Sequence, residues 1–246
     1  NTSARPNSFS YECFITAWSK MLSTPGALQK AYGVLDRMEI QASKGNSNVK
    51  VDTISCNLVL SLCAKSSDRN APTISAKLLR RMEEMFQGGN KDIEPDVISY
   101  TSVIAALSKN AGHNTMIQIQ NIVRKVKELE NTGSRVVYMD TRLYNAIMNC
   151  FENSIPGREG AQRAQNMLEE MEALHREGNQ NVKPDVISYN TVLKAWAKSG
   201  AHDAAQKAQL LLDKMEMFAI EGTLAGVKPD DISFNTTIDA WARDRR

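Results

Sequence analysis

One motif returns six times in this chain at a nearly constant interval. It is fullest as Asp-Val-Ile-Ser-Tyr-Asn-Thr at Asp185–Thr191. Its aromatic, or the residue replacing it, stands at Tyr11, Cys56, Tyr100, Tyr144, Tyr189 and Phe234, so the steps are 45, 44, 44, 45 and 45 residues. A fixed interval of this size marks copies of one supersecondary unit that stack on their neighbours, not an enclosed globular core. Function in such an array is to be read in columns of equivalent residues.

The fifth copy shows the unit. Val186, Tyr189, Val192, Leu193 and Trp196 lie on one face of a helix, helix A. The stretch Lys198–Asp203, with Gly200, breaks it. Ala204, Ala208, Leu211, Leu212, Met215 and Phe218 then form the apolar face of a second helix, B. The columns agree in every copy. Seven residues past the anchor stand Trp18, Cys63, Leu107, Phe151, Trp196 and Trp241, and helix B keeps Met38, Met82, Val126, Met171 and Met215 in register. A glycine follows each of those at Gly45, Gly89, Gly133, Gly178 and Gly222, where a left-handed helix C-cap selects it. The expected fold is all-α, a stack of antiparallel helix pairs. After an N-terminal edge at 1–7, the repeats are 8–52, 53–96, 97–140, 141–185 and 186–230, with helix A of a partial sixth at 231–246. No single pair of this size buries its own apolar stripe. The open pattern at the end and the absence of an initial Met predict a piece of a longer array.

Composition narrows the function classes. The formal charge is only +2, so net charge alone does not announce a nucleic-acid partner. Cys13, Cys56, Cys63 and Cys150 form no CxxC pair, and their helical positions predict reduced core thiols of an intracellular protein. No apolar run is long enough to span a membrane. There is no HExxH, no phosphate loop and no nucleophile elbow. Of the histidines His113, His175 and His202, the first and last share one column in the turn between helices A and B, and that repetition fits a turn or surface role better than catalysis. No enzyme, cofactor, metal or small-molecule substrate is expected. Acidic runs such as Glu83–Glu84 and Glu169–Glu170–Glu172 are predicted to be solvated outer faces of helix B.

A second stripe on helix A is repeated but not apolar. It carries Ile54, Asn57 and Lys65; Ile98, Thr101 and Lys109; Ile187, Asn190, Lys194 and Lys198; and Ile232, Asn235 and Arg243. Phe9 and Lys20 are the first copy's wedge and cation, while the fourth copy has Arg142, Asn145 and Asn153. An aliphatic wedge can pack on a base, an amide or hydroxyl can read a base edge, and a cation can meet a phosphate. Asparagine is a mediocre helix former, so its recurrence at one helical position is a functional hint. An acidic column, Asp52, Asp96, Asp140, Asp185 and Asp230, precedes the next helix A and would sit beside the preceding Asn or Thr. The same aspartates are natural N-caps, worth about 1 kcal/mol each, and the two roles can coexist.

The run Lys183–Leu193, echoed at Glu94–Ile104 and Lys228–Ile238, resembles the start of a pentatricopeptide repeat. So do the late helix B Met, the Gly after it and the Pro-Asp that follows. The family's usual unit is shorter; here the extra residues fall before the Met, between Met and Gly, and between Gly and Asp. The resemblance implies a right-handed α-solenoid that binds single-stranded RNA one base per repeat, in mitochondria or chloroplasts, in RNA processing, stability or translation. The reading pairs it implies are Asn57/Asp96, Asn145/Asp185 and Asn190/Asp230 for U and Thr101/Asp140 for G, giving 5′-UGUU-3′, with Asn235 lacking its partner. Base packing falls to Phe9, Ile54, Ile98, Ile187 and Ile232. Phosphate contact falls to Lys20, Lys65, Lys109, Lys198 and Arg243, with a single-strand salt slope of about −3.5 if all engage. Glu12/Asp52 fits no common pair. The alternative from the residues is a scaffold for other proteins, gripping an extended peptide on the same face.

Overall fold

The computed structural model describes residues 6–22, 24, 26–109, 113–224 and 226–244. These form α1 (Ser8–Ser19), α2 (Ala27–Ser43), α3 (Thr53–Lys65), α4 (Ala71–Gln87), a 3-10 turn (Lys91–Ile93), α5 (Val97–Leu107) and α6 (His113–Asn131). They continue as α7 (Thr141–Ser154), α8 (Gly157–Arg176), α9 (Val186–Ser199), α10 (Ala204–Glu221) and α11 (Asp231–Asp244), with no strand among the described residues. Two compact bodies result: Asn1–Lys109 with Arg135–Val137, and Asn110–Ser134 with Tyr138–Arg246.

Each helix A starts from the motif's own chemistry. The carboxylates of Asp52, Asp96, Asp140 and Asp185 accept the backbone N–H three residues on, from Ser55, Ser99, Leu143 and Ser188. Asp230 does the same for Ser233, and Asn7 for Ser10. Each satisfies one of the donors that a helix start leaves without an intrahelical partner. Helix B ends as its glycine column requires: Gly45, Gly89, Gly133, Gly178 and Gly222 all take positive φ. A side chain there would crowd the backbone.

In the first body α1 packs on α2 and α3 on α4, while α1, α3 and α5 form a layer of neighbouring A helices. In the second, α7 pairs with α8 and α9 with α10, and α7, α9 and α11 form the corresponding layer. Each B helix of these pairs also packs on the A helix that follows it. The core is the expected set of columns, with Met38, Met82, Val126, Met171 and Met215 fully buried. Phe234, Ile238 and Trp241 are exceptions, exposed on α11. Cys56, Cys63 and Cys150 are buried as expected, but Cys13 is exposed on α1.

A further column explains the long linker. Val49, Ile93, Val137, Val182 and Val227, each three residues before a capping aspartate, are buried. The linker chain there accepts from the helix A that opened its own repeat. Ser8, Val97, Thr141 and Val186 donate their N–H groups to the carbonyls of Asn48, Val136, Asn181 and Gly226. The added residues therefore fold back and supply acceptors for helix starts.

The acidic runs correct the sequence reading. Glu83 accepts from the Tyr100 hydroxyl at 3.1 Å and Glu170 from that of Tyr144 at 2.9 Å. Glu172 is buried between the Tyr189 hydroxyl and Lys214 Nζ. A buried phenol needs an acceptor, and a buried carboxylate needs donors. Glu83 and Glu172 each follow the helix B Met. Where that place is taken by Lys127, Tyr144 turns to Glu170 instead. Where the anchor is Cys56, Glu39 pairs with Arg81.

Candidate functional site

The outward stripe of helix A is a real surface. Ile54, Ile98, Ile187 and Ile232 are 62%, 41%, 59% and 59% exposed and Phe9 is exposed too, so these wedges do not pack between neighbouring repeats. In three places the sequence-predicted partners meet. Asn57 Nδ2 donates to both Asp96 carboxylate oxygens, at 3.0 and 3.1 Å. Asn190 Nδ2 lies 3.0 Å from Asp230 Oδ1, and Asn145 Nδ2 lies 3.2 Å from Asp185 Oδ1. The aspartate is therefore both the cap of its own helix and the partner of the preceding asparagine. Cap and Asn–Asp contact coexist because a carboxylate has acceptor sites for both. Burial pushes the Asp230 carboxyl up, but donation from Asn190 and Ser233 outweighs it and leaves the group below its ordinary value.

Thr101 hydrogen-bonds the Val97 carbonyl of its own helix at 2.7 Å. Thr101 belongs to the first body and Asp140 to the second. Asn235 is exposed on α11. Glu12 stands where other repeats carry Asn or Thr; burial and then the nearby Asp52 charge hold its carboxyl above the usual range. Arg142, at the wedge position of the fourth repeat, is not a wedge. Its Nε and Nη2 clasp Asp140 Oδ2 at 3.0 and 2.9 Å.

The cation column has inward duties. Lys109 Nζ donates to the carbonyl of Ser66, the residue just after α3, at 2.8 Å, and Arg243 Nη1 donates to the Ala197 carbonyl in α9 at 3.2 Å. Both tie a helix to the C-terminal end of the preceding A helix, where carbonyls favour cations. Burial lowers the Lys109 pKa. Lys198 and Lys194 both reach Glu152 Oε1, at 2.6 and 3.3 Å. Lys20 and Lys65 are exposed. The site's net positive charge is thus smaller than the column implies.

The sequence reading missed a third member of the Asn–Asp pair. Ser99 Oγ donates to Asn57 Oδ1 at 2.7 Å, and Ser233 Oγ to Asn190 Oδ1 at 2.7 Å. Its signal was the serine of the repeated motif, which stands three residues after the capping Asp, or Asn7 in the first copy, everywhere but in the fourth copy, where Leu143 replaces it. No group of His, Cys, Asp and Glu able to hold a metal occurs among the described residues. No described helix is long and apolar enough to cross a membrane.

Residues 166–244 match a pentatricopeptide repeat domain. No curated protein matches the chain. Among solved structures, the pentatricopeptide repeat protein PPR10 from maize is similar at 22% identity and a TM-score of 0.50. The match covers 96% of this chain and 32% of that one, so the chain spans about a third of that protein's length. The family match thus takes in the end of the fourth repeat, the whole fifth and helix A of the sixth, and the helix-pair fold of the chain is similar to that of the maize protein.

Proposed function

We propose that this chain binds single-stranded RNA, one base per repeat, and acts on an organellar transcript in its processing, stability or translation. The observation that carries the reading is the repeated exposed wedge beside an asparagine amide that is hydrogen-bonded to the next repeat's aspartate. With one amide hydrogen on the carboxylate, the second remains for a base carbonyl. The aspartate favours a base with an imino N–H and disfavours one with a ring-nitrogen lone pair at that edge. Uracil and guanine fit this demand, whereas cytosine and adenine do not. Asparagine leaves room for a pyrimidine, and the shorter Thr101 suits the larger guanine. These preferences support the 5′-UGUU-3′ core.

The test is selection from a randomised single-stranded RNA pool. Enrichment of UGUU-like cores supports the reading; absence of RNA binding at low salt overturns it. Capture of an extended peptide whose affinity ignores salt would favour a protein scaffold instead.

A further inference from the structure

The three asparagine pairs are not alike, and the difference lies in a hydroxyl. Around Asn57 a closed ring of hydrogen bonds spans two repeats. The Asp96 N–H donates to Ser99 Oγ at 3.2 Å, Ser99 Oγ donates to Asn57 Oδ1 at 2.7 Å, and Asn57 Nδ2 returns to Asp96 Oδ1 at 3.0 Å. Around Asn190 the ring is the same: Asp230 N–H to Ser233 Oγ at 3.1 Å, Ser233 Oγ to Asn190 Oδ1 at 2.7 Å, and Asn190 Nδ2 to Asp230 Oδ1 at 3.0 Å. Around Asn145 the ring is open. All three serine hydroxyls lie within reach of their own aspartate's Oδ1, at 3.1 Å for Ser99 and 2.9 Å for Ser233 and Ser188, and the Asp185 N–H still donates to Ser188 Oγ, but the Ser188 hydroxyl makes no bond to the preceding asparagine's Oδ1. Asn145 Oδ1 is buried with no partner, and its Nδ2 contact is the longest of the three, at 3.2 Å.

We infer that Ser99 and Ser233 are positioning residues for base discrimination: each fixes the amide of the preceding repeat's asparagine so that its free N–H meets uracil, and Ser188 does not. The inference rests on the RNA reading above. An amide can rotate by half a turn and exchange its donor with its acceptor, which would present the wrong pattern to the base. A hydroxyl donor on Oδ1 and a carboxylate acceptor on Nδ2 together hold one orientation. All three serines contribute equally to the helix cap, so Ser188 is an internal control for the structural effect. The Thr101 hydroxyl is held by its own helix, and the fourth copy of the motif carries Leu143 in place of the serine.

The experiment measures binding of the chain to a UGUU-cored single-stranded RNA and to versions with cytosine at the first, third or fourth base. The unaltered chain should discriminate least at the third base, read by Asn145. Ser99→Ala should lose roughly fivefold of the uracil preference at the first base alone, as expected for one oriented hydrogen bond. Ser233→Ala should do the same at the fourth base alone. Ser188→Ala should leave the third base unchanged while costing similar thermal stability. Equal losses for all three variants, or none, overturn the inference. A second readout needs no RNA: side-chain amide exchange by NMR should be slower at Asn57 and Asn190 than at Asn145, and Ser99→Ala should accelerate Asn57 only. Unchanged exchange overturns the positioning role by itself. Failure of the unaltered chain to bind RNA overturns the base-reading role together with the reading beneath it.

Discussion

Glu152→Gln should make the chain a tighter RNA binder. The Glu152 side chain is 1% exposed, and its one engaged oxygen takes both Lys194 and Lys198. Its second oxygen is buried without a partner. One carboxylate thus offsets one of the two positive charges in the strip of the fifth repeat. Replacing it with the neutral isostere keeps the acceptor for Lys198 and adds one net positive charge. For a single strand each further phosphate neutralised steepens the salt dependence by about 0.7, so affinity at ~0.1 M salt should rise roughly fivefold relative to its 1 M reference. Stability should change little. The two lysines are half exposed, which screens the pair to about 1 kcal/mol or less, and a buried carboxylate with an unmet oxygen is itself unfavourable. Fluorescence anisotropy with a labelled UGUU-cored strand, titrated at several salt concentrations, reads both slope and affinity. An unchanged slope, or weaker binding by a variant whose circular dichroism is intact, would refute the phosphate role of Lys198.

Other consequences follow from the same geometry. Asn190→Thr should move the fourth base of the core from U toward G, read by competition among four single-base variants of the RNA. Burial pushes the Cys56 and Cys63 thiols up to about 12 and also raises Cys150, while Cys13 is exposed. Brief iodoacetamide treatment of the folded chain should therefore modify Cys13 alone by mass spectrometry, and all of the cysteines in denaturant. The depressed Asp230 carboxyl stabilises the fold above its ordinary value of 3.8, and that contribution is lost as pH falls through the lower folded value. Asp230→Asn should remove this part of the acid dependence, and a carboxyl NMR titration should place Asp230 below its unfolded value. Gly222→Ala should cost about 1 kcal/mol, because φ there is +66°, and lower Tm by a few degrees.

Much of this was legible in the sequence because stacking turns position into environment. The Met and Gly columns marked helix B and its end. The recurrence of Asn on the outward stripe of helix A, with Asp ahead of the next helix, placed the pairs that Asn57, Asn145 and Asn190 form. What was not legible involved residues with two possible duties. The serine of the motif carried no role in the sequence, since nothing local shows that its hydroxyl reaches back to the previous repeat. Glu83 and Glu172 read as solvated because carboxylates are rarely buried. Their partners, Tyr100 and Tyr189, lie 17 residues on, in the next helix A. The cations read as free because a lysine's reach to a carbonyl of the preceding helix is a matter of three-dimensional spacing.

The long repeat need not disturb a base-by-base strip, and the reason is where its extra residues go. They lie in helix B and in the linker, and the linker is anchored twice: by a buried apolar residue and by bonds to the start of its own helix A. It then delivers the aspartate to the preceding asparagine after 39 residues for Asn57 and 40 for Asn145 and Asn190. Relative to the second repeat, the extra residue lies before the helix B Met in the fourth, between Tyr144 and Met171, and after the glycine in the fifth, between Gly222 and Asp230. Contact between Asn and Asp is therefore set by the packing of one A helix on the next, not by the length of chain between them. On the proposed reading, RNA register should follow the A-helix layer. Adding one residue directly after exposed Gly178 should leave the base preference of Asn145 intact, whereas replacing buried Val182 with a polar residue should disturb it. A register shift from the first change, with the fold preserved, would show that repeat length sets the spacing after all.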